Sequence, residues 1–133
     1  METALKEIGA IFLSQPIRNP PWTLITVEGV LENILDLTDL SIRQQLATSI
    51  AELTGDWRYS EDLYLEGKEP MPPTQLLGKK AFETGRISGI RYHAAKDTGQ
   101  GINTVVFTDR LTVGPASFLE VYDPSGFLQQ RLP

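Results

Sequence analysis

The sequence predicts an α+β domain with a mainly antiparallel sheet, and three observations carry that prediction. Strand-type alternation is concentrated in the second half of the chain, at 86–94, 102–109 and 116–133. The helical periods do not alternate regularly with strands, as a parallel βαβ sheet would require. Two turn-rich stretches, one around Gly99 and Gly101 and one at Asp123-Pro124-Ser125-Gly126, join consecutive strands as hairpin turns do.

The elements follow in order. In "METALKEIGAIFLSQP", Leu5, Ile8 and Phe12 recur at i, i+3 and i+7 beside Ala4 and Ile11. That spacing predicts a helix with one buried stripe, capped by Thr3 and ended by Pro16. "WTLITVEGVLENILDL" (22–37) reads as strand. Gly29 suggests a bulge or bend, and Glu32-Asn33 turns the chain into a second short strand at 34–37. Thr38 or Asp39 can cap a short helix whose apolar positions are Leu40, Ile42, Leu46 and Ala47, and "SIAELTG" adds another turn or two closed by Gly55.

Residues 56–73 show no clear period and read as a long surface loop pinned by Trp57, Tyr59 and Tyr64, or as a substrate lid. "PTQLLGKKAFETG" predicts a helix capped by Thr74, with Leu76, Leu77, Ala81 and Phe82 on its inner face and Gly85 as its stop. Strands at 86–94 and 102–109 and a final hairpin over 116–133 complete the chain.

Composition narrows the function. The chain has 133 residues, 41% of them hydrophobic, and reads as a single domain over 1–133 able to bury a core. It lacks cysteine, which excludes disulfides and thiolate metal sites, and its one histidine, His93, excludes a multi-histidine site. Twelve basic against seventeen acidic residues leave a net charge of −5, with Lys79-Lys80 the only adjacent basic pair. That balance argues against nucleic acid as a partner. No apolar run reaches the ~18–20 residues of a membrane span, and the N-terminus lacks a signal-peptide pattern. A cytoplasmic protein is the expectation.

Chemistry-bearing motifs are sparse. The Gly99-x-Gly101 pair is followed by strand-type sequence, where a dinucleotide fingerprint needs a helix, so it reads as a hairpin turn. Glu7 borders the apolar stripe of the first helix, and from spacing alone it reads as a solvated helix-edge glutamate. His93, between Tyr92 and Ala94, has no Gly-x-Ser-x-Gly element to serve. The carboxylates Asp36, Asp39, Asp56, Glu61 and Asp62 lack the spacing of a metal loop.

Four stretches in order, "ETALKE" (2–7), "ILDLTDLSIRQQL" (34–46), "PTQLLGKKAFETGRISGIRYHAA" (73–95) and "INTVVFTDRL" (102–111), resemble the RES domain. This is the toxin half of RES–Xre toxin–antitoxin pairs. The resemblance spans nearly the whole chain and implies an ADP-ribosyltransferase-like fold. It also implies NAD as a substrate rather than a resident cofactor, cleaved at the nicotinamide–ribose bond or used to modify a protein, and an Xre-type antitoxin as partner.

Such cleavage develops positive charge on the ribose, which a carboxylate stabilises, while an arginine fork suits the pyrophosphate. On that resemblance Glu7 falls where the family has its catalytic glutamate. Tyr92, His93 and Asn103 fall in the nucleotide-binding strands, with Asn103 matching the start of the second. Two departures stand out. The family's arginine lies on a segment that would precede Met1, and Ala94 stands in place of the family's serine, after His93 in place of a proline.

The expectation is a truncated, degenerate RES-family toxin-like domain, lacking the N-terminal strands, with weak or no NAD cleavage and acting by binding or oligomerisation. The alternative is an active NAD-degrading toxin, a glycohydrolase, phosphorylase or ADP-ribosyltransferase, in which Arg18, Arg91 or a partner's cation substitutes. An interaction module built on 56–73 is a third reading. Lost strands would expose a sheet edge and apolar core, so a homodimer or a protein complex that covers this surface is expected.

Overall fold

The computed structural model describes residues 25–55, 58–96, 101–123, 125–127 and 130–133. The helix expected over the first 16 residues, with Glu7, lies outside them, as do Arg18, Asp56, Trp57 and Gly99. The chain is α+β, and among the described residues its strands form two small sheets. The first contains β1 (Val27–Val30), β5 (Phe118–Val121) and β6 (Arg131–Leu132) in the order β1-β5-β6, all antiparallel. The second contains β2 (Ile34–Asp36), β3 (Gly89–His93) and β4 (Ile102–Val106) in that order, with β2 parallel and β4 antiparallel to the central β3.

Both expected hairpins form. Strands β3 and β4 pair from Gly89↔Val106 to His93↔Ile102, and the Ala94 N–H extends the ladder to the Gly101 carbonyl at 2.9 Å. Strand β5 returns through a turn in which the Gly126 N–H donates to the Asp123 carbonyl at 3.0 Å and the Ser125 N–H to the Asp123 carboxylate at 2.9 Å. This is the Asx-turn chemistry expected of that stretch.

Gly29 does not bulge the chain. The β1–β5 register runs unbroken, with Gly29 opposite Leu119. A Cβ at Gly29 would fall on the Phe118 carbonyl oxygen and the Leu119 side chain, so glycine is there to let two backbones approach. Asn33, at φ 56°, makes the turn into β2.

Among the described residues, four helices follow one another between β2 and β3. The first, α1 (Leu40–Gln45), is capped by Asp39, whose carboxylate accepts from the Ser41 N–H at 2.7 Å. Thr38, the other expected cap, instead bonds Asp36. The second, α2 (Ile50–Thr54), is capped by Ser49 and closed at Gly55.

The expected loop at 56–73 is instead interrupted by α3 (Arg58–Leu65). Its residues carry Tyr59, Tyr64 and Leu65 outward, so no apolar stripe marked it in the sequence. Then α4 (Pro73–Glu83) starts with proline at its first position and no side-chain cap, so Thr74 lies inside the helix. It ends at Gly85, which takes φ 66°.

The core lies between α4 and one face of the β2-β3-β4 sheet. Leu37, Ala81 and Ile90 are its buried centre, with Leu35, Ile42, Leu53, Leu77, Ile87, Tyr92 and Phe107 packed around them. Phe82 of α4 meets Phe107 edge-on at 5.3 Å, and the Arg110 guanidinium lies 4.6 Å over the Phe82 ring.

The face of α1 differs from the expected one. Leu40, Leu46 and Ala47 are exposed, Ile42 is half-buried, and Arg43 is the buried residue at 7%. Residues 32–33 link the two sheets. The Glu32 N–H donates to the Ser117 hydroxyl at 2.9 Å, the Ser88 hydroxyl donates to the Glu32 carbonyl, and the Ser88 N–H donates to the Asn33 carbonyl at 3.1 Å.

Candidate functional site

Strand alternation sorts the candidate residues onto two faces of the second sheet. Leu35, Ile90, Tyr92, Asn103 and Val105 share the face covered by α4, because Ile90 pairs with Val105 and with Leu35, and Tyr92 pairs with Asn103. Asp36, Arg91, His93 and Thr104 share the other face, since Arg91 pairs with both Asp36 and Thr104. Tyr92 and Asn103 are therefore cross-strand neighbours, and His93 is turned away from them. Glu7 lies outside the described residues.

On the α4 side a cleft of about 310 Å³ opens beside the core. Its floor is Leu37, Ile90 and Tyr92, and Val105 and Phe107 form one wall. Leu53 of α2 and the first turns of α4 (Thr74, Gln75, Leu77 and Gly78) form the other. The only polar side chains of this lining are Thr74, Gln75 and the Tyr92 phenol, with no Asp, Glu, Lys, Arg or His among them. Gln75 is held from behind, its side-chain N–H donating to the Glu61 carboxylate of α3 at 2.7 Å. Asn103 is beside this lining and not part of it.

Gly78 sits inside α4, where glycine costs about 1 kcal/mol relative to alanine. A Cβ there would meet no other atom within 4 Å, so no neighbouring element requires the glycine. What its missing side chain leaves open is the cleft.

The opposite face carries the charges. The Asp36 carboxylate accepts from the Thr38 hydroxyl at 2.6 Å and the Thr38 N–H at 2.9 Å, and lies 3.4 Å from an Arg91 guanidinium nitrogen. The Thr38 hydroxyl is the main cause that holds this carboxyl below its ordinary value of 3.8, against a desolvation that raises it, with Arg91 and His93 adding smaller attractions.

A carboxyl depressed in the folded state stabilises it above the unfolded value and loses that contribution as pH falls through the folded value. Thr38→Val is thus expected to be less stable than wild type at neutral pH. The gap should narrow below about pH 4, the range of an ordinary aspartate, in urea melts followed by circular dichroism at several pH values.

Ala94 lies two residues past Tyr92 on the same side of the strand and is buried at 3%. Its methyl offers neither a donor nor an acceptor. Among the described residues no cluster of His, Cys, Asp or Glu could hold a metal ion, and no helix is long and apolar enough to cross a membrane.

Tyr92, a candidate by resemblance, lines this cleft, and Leu53, Gln75 and Gly78 line it without having been candidates. A glycine in the middle of a strongly helical stretch was the available signal. No family model matches the chain, and no curated protein and no solved structure matches it.

Proposed function

We propose that this chain is a degenerate RES-type domain that binds the heterocyclic end of NAD, or of a related nucleotide, without cleaving it. The observation that carries the reading is the lining of the cleft. Apolar walls, the Tyr92 ring, one amide and one threonine hydroxyl suit a flat heterocycle bearing a polar substituent. Gly78 leaves the space such a ring needs. The volume matches one ring and part of its sugar, at the low end of small-molecule sites, and is too small for a whole dinucleotide.

Cleavage of the nicotinamide–ribose bond asks for more than this lining supplies. The developing positive charge needs a carboxylate at the sugar, and the pyrophosphate needs a cation. Neither is among the lining residues. Arg91, one substitute considered for the family's arginine, pairs with Asp36 on the far face of the sheet. The alternative, an active NAD-degrading enzyme, would rest on Glu7 and on a cation from elsewhere.

Calorimetric titration with NAD and a nicotinamide-release assay test the proposal together. Binding with no release above buffer is expected. Tyr92→Ala should weaken binding by about tenfold or more, the loss of one aromatic stacking partner. Gly78→Leu should abolish binding while leaving the melting temperature equal or higher, since it fills the cleft and removes a helical glycine. Absence of heat with NAD removes the nucleotide reading. Nicotinamide release that disappears in Glu7→Gln replaces it with the enzyme.

A further inference from the structure

We propose that two copies of this chain pair through the outer edge of β4 to form one continuous six-stranded sheet, a surface independent of the nucleotide reading. The rungs Ala94 N–H to Gly101 carbonyl and Phe107 N–H to Ser88 carbonyl fix which β4 residues bond inward. Counting by two between them, Asn103 and Val105 face β3 with their backbone groups. Ile102, Thr104 and Val106 direct their N–H and C=O groups away from it. Strand β4 is the last strand in its sheet among the described residues, and Ile102 and Val105 are 42% and 43% exposed. Thr104 is exposed as well.

The choice of a second copy as occupant rests on charge and symmetry. Each chain carries −5, so an uncharged strip is where two copies meet with the least like-charge repulsion. Among the described strands, β1 contains Glu28 and Gly29, β2 is three residues long with Asp36, and β6 is two residues long with Arg131. Strands β3 and β5 are paired on both sides and contain Arg91 and Glu120, which leaves the five residues of β4, Ile-Asn-Thr-Val-Val, as the uncharged edge.

Strand β4 has no charge, proline or glycine, the features by which edges usually avoid such pairing. An antiparallel two-fold centred on Thr104 satisfies all its outward groups. Thr104 bonds its own counterpart, and Ile102 lies opposite Val106 of the second copy. On that face Thr104 meets Thr104 and branched aliphatics meet each other, both favourable cross-strand pairs. On the α4 face the second copy's Asn103 falls opposite Val105, a wall residue of the cleft.

Sedimentation equilibrium from about 1 to 200 µM, the range in which a small interface associates, is the test. Wild type is expected to approach twice the 14.8 kDa chain mass. Thr104→Pro removes an outward N–H and none of the β3 ladder, so an edge strand tolerates it. It should raise the dissociation constant by roughly tenfold or more, the loss of one bond from each copy, with an unchanged circular dichroism spectrum.

Thr104→Lys, which sets two like charges on the two-fold, should act in the same direction, and Val27→Lys on the β1 edge should leave the dimer intact. A wild-type monomer across the whole range overturns the proposal. So does a dimer indifferent to both Thr104 variants, or one broken only by Val27→Lys.

Discussion

Leu37→Ala is expected to destabilise the domain by about 2–5 kcal/mol, the largest loss from any single truncation in the core around α4. Leu37 is 2% exposed and stands between Ala81 of α4 and Ile90 of β3. Its backbone is fixed on both sides, with the N–H on the Arg91 carbonyl at 2.7 Å and the carbonyl taking the Arg43 guanidinium at 2.7 Å. The backbone therefore cannot collapse into the space a shorter side chain leaves, which puts the cost in the upper part of the range.

Leu37 is also part of the cleft floor, so the new void joins the cleft and enlarges it. With total stabilities of about 5–15 kcal/mol for small domains, such a loss is a large fraction of the whole. Urea unfolding followed by circular dichroism measures it. Leu40→Ala, three residues on and 61% exposed, is the control and should stay within about 0.5 kcal/mol of wild type.

That contrast between Leu37 and Leu40 shows how much of the molecule was legible in the sequence. Alternation and turn chemistry are local properties, and they located β3, β4 and the β5–β6 return, with Asp123 and Gly126 in the expected turn. They also gave α+β as the class. Caps were half legible. Asp39 caps α1 as expected and Ser49 caps α2 where no cap was expected, whereas Thr74 yields to Pro73 because proline already suits the first helical position.

The face of α1 was not legible, because its apolar residues are spread around a helix of six residues and tertiary contacts decide which side is covered. Division into two sheets was not legible either, since it depends on pairings between residues as distant as Val30 and Phe118. At the site, Tyr92 and Asn103 could be placed together by strand parity once β3 and β4 were paired, and the same parity turns His93 away. Gln75 and Gly78 reach the cleft only through the docking of α4 on the sheet, which no local pattern encodes.

Arg43 is the buried residue of α1, and removing its side chain is the second large effect expected. It is 7% exposed, and its guanidinium donates to the Leu37 carbonyl in the buried turn between β2 and α1. Arg43→Met keeps the length and the aliphatic stem while deleting the donor, leaving a buried carbonyl without that partner at a cost of about 1–3 kcal/mol.

Arg43→Ala deletes the packing of the stem as well, for a total of about 2–4 kcal/mol. The difference between the two variants separates hydrogen bonding from packing. Because the interaction is buried, the loss in each should persist when salt is raised to about 0.5 M, where exposed ion pairs are screened. Lys80→Ala, which breaks the exposed 3.0 Å pair with Glu83, is the matched surface control and should cost well under about 1 kcal/mol.

Urea melts at both salt concentrations supply the comparison. A loss in Arg43→Met that vanishes at high salt would mean that the guanidinium works through a screened surface charge. The turn it fastens carries both Asp36 and Leu37, so a firm Arg43 also holds the cleft floor in place against β3.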